Sequence, residues 1–279
     1  MAAQSGLRSR AASRADRARQ WAVLAGAVVA AVVAFVGSGA LGGTPIDEAA
    51  GGALSATSTL VAPAGPAFSI WGVVYAGLLA CAVWQLAVAP PSDPRQRQVG
   101  WWLIASLLLN ALWIVVVRAG SVLASVLVIG ALVAVLAVAL ARLARTGAGS
   151  ARRGPGRWVE ALLVDGVTGL YLGWVLVATV ANVASWLVQA GAGGLVLGEV
   201  AWAVVVLALA AGLASWVCWR TGRLAPALSA SWGLAWIGVG RASGELTSGV
   251  VAVVAALAAL VVLGAGVTAR VRAGRATPA

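Results

Sequence analysis

Apolar residues run in eight long blocks along the chain, at about 21–41, 67–88, 101–117, 121–141, 162–187, 199–218, 224–240 and 247–269, separated by glycine- or arginine-bearing joints. At about 1.5 Å of rise per residue, each block is long enough for a tilted helix to cross about 30 Å of hydrocarbon. The pattern predicts an all-α integral membrane protein with about eight transmembrane helices. The joints test that count independently, because arginines collect on the cytoplasmic side of alternate loops. With the N-terminus inside, the inner segments carry seventeen arginines and the outer ones only Arg118 and Arg241. One span more or fewer in the middle would mix the two sets, so both termini are expected in the cytoplasm.

The first block follows Arg8, Arg10, Arg14, Arg17 and Arg19, with Asp16 among them, and so opens like a signal peptide. The run from Trp21 to Leu41 is longer than a signal core and is read as an uncleaved first span behind a basic tail, residues 1–20. The longest outer joint, 42–66, contains Gly42, Gly43, Pro45, Asp47, Glu48, Gly51, Gly52, Pro63, Gly65 and Pro66 and no basic residue. Loops of that length are commonly lids or binding elements. The glycines from Gly191 to Gly194 mark a seam between a five-helix unit, 21–190, and three further helices with a short basic tail, 191–279.

Composition then removes several classes. With 62% hydrophobic and 10% charged residues, against roughly a quarter charged in soluble domains, the chain is no soluble globule. Its net charge of +11 is accounted for by topology and contact with anionic lipid, and no basic domain for nucleic acid exists. The absence of Lys and His excludes Schiff-base cofactors and imidazole ligands to metal or haem. Cys81 and Cys218, each in an apolar stretch, form no metal or redox motif and read as small buried hydrophobes.

Fourteen tryptophans stand against two Tyr and two Phe. Trp21, Trp101, Trp102, Trp158, Trp216 and Trp219 fall at inner helix ends and Trp186 and Trp202 at outer ones, as an interfacial belt predicts. Trp84 reads as packing, and Ser229, Trp232 and Trp236 as a stripe for helix packing, pocket extension or dimer contact. The others share helical faces with polar groups. Trp71 and Tyr75 are four apart, Asn110 and Trp113 three apart, and Trp174, Ala178 and Asn182 step by four. By helical rise, Asn110 lies about 10 Å, Asn182 about 8 Å, Trp71 and Trp113 about 6 Å and Tyr75 about 12 Å from the outer helix ends, a common level. Two amides, a phenol and several indoles there form either a flat-walled ligand pocket or interhelical glue, with the two asparagines bonded to each other.

The same stripes carry a resemblance to the TspO/MBR family of tryptophan-rich sensory proteins, five-helix relatives of the mitochondrial translocator protein. The second span, PAGPAFSIWGVVYAGLL, resembles the family's proline-rich approach to a W-x-x-x-Y helix, matched by Trp71 and Tyr75. The third, SLLLNALWIVVV, is similar to its A-L-N-x-x-W segment, matched by Asn110 and Trp113. The fifth, LYLGWVLVATVAN, resembles its P-Y-L-x-W-x-x-x-A-T-x-x-N signature, matched by Tyr171, Leu172, Trp174, Ala178, Thr179 and Asn182. The resemblance covers roughly residues 20–190 and leaves 199–269 without a counterpart in the five-helix pattern. It departs at Phe68 to Trp71, where the family has G-P-V-W, and at Leu170, where it has Pro. The cholesterol motif is missing after Asn182.

What the resemblance implies is a protein of the bacterial cell membrane, usually a homodimer, that binds a porphyrin-like tetrapyrrole or another flat apolar molecule. The ligand site would comprise Trp71, Tyr75, Asn110, Trp113, Tyr171, Trp174, Ala178 and Asn182, beneath the 42–66 loop. The role expected is non-enzymatic binding, sensing or carrying, with no required cofactor and no metal. Two competing classes are a small-solute transporter and a Trp-mediated photochemical porphyrin degrader. Asp165, the one acid well inside a span, is expected to be held by a helix N-terminus and by Arg153 and Arg157. Gly166, Gly169 and Gly173 mark close helix packing.

Overall fold

The computed structural model describes residues 12–39, 48–147, 154–192 and 198–275, and these are helical with turns between. Among the described residues, eight helices of eighteen or more residues follow one another: α1 (Arg14–Gly37), α2 (Ile70–Ala87), α3 (Pro94–Arg118), α4 (Val122–Ala144), α5 (Pro155–Gln189), α6 (Glu199–Thr221), α7 (Ala225–Ser243) and α8 (Gly249–Arg275). Seven are long and apolar enough to cross a membrane, which makes this an integral membrane protein, and α7 is the one that falls short. Its serines, glycines and tryptophans lower its hydropathy, and it can carry them because it packs against α5, α6 and α8 instead of facing lipid on all sides.

The helices exceed the apolar blocks because polar residues at their ends cap them. Helix α1 starts at Arg14, inside the expected basic tail: the Ser13 hydroxyl accepts from the Asp16 amide while the Asp16 carboxylate accepts from the Ser13 amide, a capping box that nucleates the first turn. Asp93 caps α3 from one side, its carboxylate accepting from the Arg95 and Gln96 amides, ahead of Pro94 at the first helical position. Helix α5 runs through a π-helical segment at Ala161–Gly166, which contains Asp165. Arg8, Arg10, Gly42, Gly43, Pro45, Asp47, Arg152, Arg153, Gly193 and Gly194 lie outside the described residues.

Helices α1 to α5 close into a ring in which α1 packs on α2 and α3, α4 on α3 and α5, and α5 on α2. Its core includes Val74, Leu107, Leu132, Tyr171 and Trp174. A second core, among them Leu207, Leu234, Ile237 and Val262, joins α6, α7 and α8 and reaches Val177 on α5 and Val61 in the loop before α2. The seam between the units is α5 against α7. There a Cβ on Gly173 would sit 2.2 Å from the Pro226 carbonyl oxygen and 2.3 Å from Ser229 Oγ, and one on Gly169 would sit 2.8 Å from Ala225 Cβ, so only glycine admits this approach. Gly166 meets only its own helix.

At the arginine-rich end, buried ion pairs replace hydrocarbon contacts. Arg95 bonds Glu160 and Asp165 at 2.7 Å each, and Arg223, from the α6–α7 joint, bonds Asp165 at 2.8 Å. Arg223 also donates to the carbonyls of Leu143 and Thr146. Asp165 is therefore gripped by Arg95 and Arg223, from distant parts of the chain, whereas the sequence points to neighbouring arginines, of which Arg153 lies outside the described residues. Asp16 holds Arg19 and Arg97 beside this cluster. Burial lowers the Arg223 guanidinium below its ordinary range, with Asp165 opposing the shift. Cys81 and Cys218 are free thiols buried in separate cores.

Candidate ligand site

The opposite end of the ring, the loop end, carries the tryptophan and asparagine stripes. Trp71 is the hub of an aromatic group. It stacks on Tyr75 at 5.3 Å between centroids and meets Tyr171 and Trp174 edge-on at 5.8 and 6.3 Å. Phe68 adds a T-shaped contact to Trp174 at 5.7 Å. Such edge and offset contacts contribute roughly 0.5–1.5 kcal/mol each beyond burial.

The two amides do not bond each other. Asn110 accepts the Tyr75 hydroxyl hydrogen bond. Asn182 Oδ1 accepts from Trp113 Nε1 at 3.2 Å and from Ser125 Oγ at 2.9 Å, while its Nδ2 donates to the Ala178 carbonyl. Each asparagine thus ties helices together through an aromatic partner, so glue and pocket wall are the same residues. Trp174 Nε1, buried, has no hydrogen-bond partner among the described residues.

Two spaces meet at this group. An enclosed cavity of about 30 Å³ is walled by Trp71, Asn110, Trp113, Trp174, Ala178 and Asn182, with Leu54, Ser58 and Pro63 of the loop above. It has room for two or three waters at roughly 10–15 Å³ apiece and for no larger molecule. Beside it, a cleft of about 530 Å³ lies between α1, α2 and α3, lined by Ala31, Ala34, Phe35, Trp71, Tyr75 and Trp113 among others. Phe68, Trp71, Asn110 and Trp113 belong to both. Tyr171 lines neither space. It is fully buried behind Trp71, with its hydroxyl on the Ser106 carbonyl at 3.3 Å, and so supports the wall.

The loop over the cavity is built from stacked turns, such as Ser58 N to Ser55 O and Ala62 N to Thr59 O. Helix α7 fastens it. Arg241, buried, donates to the carbonyls of Thr59 at 3.0 Å and Ala56 at 2.5 Å. Trp232 Nε1 donates to the Ala67 carbonyl at 2.9 Å, and Ala64 N donates to the Trp236 carbonyl. The stripe Ser229, Trp232 and Trp236 is therefore a seam-and-clasp surface: Ser229 against Gly173, the Trp232 indole on the Ala67 carbonyl, and the Trp236 carbonyl on the loop backbone at Ala64. Phe68 and the loop residues were missed as wall residues because nothing in their local pattern separates them from turn and helix-start positions. Arg241 had a signal, being one of two arginines on the sparse side.

Among the described residues, no cluster of three His, Cys, Asp or Glu could hold a metal ion. The fold and the site together define a helical integral membrane protein with an aromatic, amide-braced cavity under a loop. The family described as TSPO-like protein matches residues 21–268, and the chain belongs to that family. The match runs well past residue 190 and takes in α6, α7 and all but the last turns of α8, so the family pattern extends over these helices. No curated protein and no solved structure matches the chain.

Proposed function

We propose that this TspO-type protein binds a flat apolar molecule of the porphyrin class at the loop end of the ring, without catalysing its conversion. The observation that carries the reading is the wall of Phe68, Trp71, Asn110 and Trp113 shared by the enclosed cavity and the lateral cleft. The cavity alone is too small for a macrocycle. The cleft, at about 530 Å³, has the size of a small-molecule site, and rotation of Trp71 or Phe68 would join it to the space beneath the loop. Indole faces supply stacking surface, and Trp174 Nε1 offers one donor to a polar edge. The chain lacks histidine, so a metal-free ring is the better partner.

In the same proposal all eight helices span a bacterial cell membrane. Helix α7, at 19 residues or about 28 Å, crosses in the shelter of α5 and α8. The arginine-rich end faces the cytoplasm and the loop end faces outward.

The test is titration of detergent-purified protein with protoporphyrin IX, following tryptophan quenching and the Soret band. Saturable binding is expected. Trp71→Phe/Trp174→Phe should weaken it about tenfold, from two aromatic contacts of roughly 0.5–1.5 kcal/mol each. Unsaturable quenching, or unchanged affinity in the double variant, would overturn the proposal. Loss of ligand under illumination would redirect it to degradation, and solute flux in liposomes to transport.

A further inference from the structure

A second groove lies on the far side of α5 from the aromatic site, between the two helical units. It measures about 470 Å³ and is walled by Val180, Val183 and Ala184 of α5 and by Ala203, Val206 and Ala210 of α6. Loop residues 57–61 roof it at the loop end. From Trp202 to Leu213 it follows α6 for about 17 Å. It opens toward lipid, since Val188, Leu209 and Leu213 on its lips are exposed. Its polarity is graded. The one polar side chain away from the roof and the α6 start is Thr179, whose hydroxyl is already bonded to the Val175 carbonyl. At the loop end, by contrast, neither the hydroxyl of Thr59, a residue buried to more than nine-tenths, nor the buried Nε1 of Trp202 has a hydrogen-bond partner among the described residues. Glu199, the first residue of α6, lines the groove as well.

We propose that this groove is a binding site for one glycerolipid of the leaflet at the loop end, its acyl chain lying along α6 and an ester carbonyl accepting from Trp202 Nε1 and Thr59 Oγ1. The occupant must be apolar for most of its length, because the walls leave no free polar group there. Its head must present a hydrogen-bond acceptor, because an indole N–H can only donate. The carboxylate of Glu199 disfavours a head with net negative charge, which selects an ester over the carboxylate of a free fatty acid. Burying two unpartnered polar groups beside lipid is costly, and the ester removes that cost. The site shares only Ser58 with the enclosed cavity and does not depend on that cavity holding a ligand.

The experiment places the full chain in nanodiscs of phosphatidylcholine containing a fraction whose acyl chain carries a diazirine, followed by irradiation and peptide mapping. Label should concentrate on peptides 179–192 and 199–213, severalfold above α8, which is equally exposed at Val253, Leu257 and Leu260. Val206→Trp should reduce it severalfold by filling the groove from α6, and Ala184→Phe should do so from α5, so a folding failure of one leaves the other. Trp202→Phe, which keeps the ring and removes the N–H, should lower it as well. Uniform labelling of all lipid-facing helices, or labelling indifferent to both filling variants, would overturn the site. Equal or stronger labelling by a diazirine fatty acid at neutral pH would overturn the ester assignment. Cross-links joining Leu209 or Leu213 to a second copy would show the groove to be a subunit contact instead.

Discussion

At Asn182 one amide oxygen receives donors from two other helices, the Trp113 indole on α3 and the Ser125 hydroxyl on α4. In so apolar a surrounding, a donor left without its partner is costly. Asn182→Leu should therefore lower stability by roughly 1–2 kcal/mol, the scale of an interhelical hydrogen bond in lipid. Because Ser125 also reaches the Val122 carbonyl, most of the loss belongs to Trp113. Combining Asn182→Leu with Trp113→Phe should then cost less than the sum of the two, measured by reversible unfolding in mixed micelles as a double-mutant cycle. Strict additivity would mean that the 3.2 Å contact contributes nothing. The helical spacing placed Asn182 and Trp113 at one level, but not against each other: stripes give depth along each helix, and which stripes face one another depends on helix rotation, which the sequence leaves open. Tyr171 illustrates the limit. It matches the signature by position and lies behind the wall.

Among the helices, α7 departs furthest from a simple lipid-facing span, and its residues say why. Pro226, Ser229 and Gly233 approach α5 at Gly169, Gly173 and Val177. Adding one methyl at Gly173→Ala meets backbone that cannot yield, so a loss of roughly 1–3 kcal/mol is expected from overpacking. Gly130→Ala on α4, with open space around it, should be neutral or stabilising by about 0.5–1 kcal/mol. Thermal unfolding of the two variants in parallel checks this, and similar behaviour would contradict the close seam. The eight elements were legible because each apolar block is continuous. The start of α1 was not, since Arg14 to Gln20 look like a solvated tail until the Ser13 and Asp16 capping box is weighed. The partners of Asp165 were hidden for another reason: Arg95 and Arg223 lie 70 and 58 positions away in sequence, and no spacing rule reaches that far.

Over the whole molecule, α7 and the joint before it are tied to the ring at both ends. Arg223 meets Asp165 and the end of α4 at the arginine-rich end, and Arg241 and Trp232 hold the loop at the other. The two cores should therefore unfold together. Breaking the buried Arg223–Asp165 pair costs roughly 3–5 kcal/mol and Arg241→Ala removes two hydrogen bonds to loop carbonyls, so Arg223→Ala and Arg241→Ala together should separate a single calorimetric transition into two. A transition that stays single would place the coupling in the glycine seam alone. The pairing of Tyr75 with Asn110 and of Trp113 with Asn182 has its own consequence at this scale. These polar groups answer one another, and among the described residues the Trp174 indole and the Ser185 hydroxyl are the buried polar groups of the cavity wall left for a guest. On the function proposed above, such a protein discriminates by outline: unrelated compounds of the same flat contour compete on nearly equal terms, and decorating their edges with polar substituents changes little.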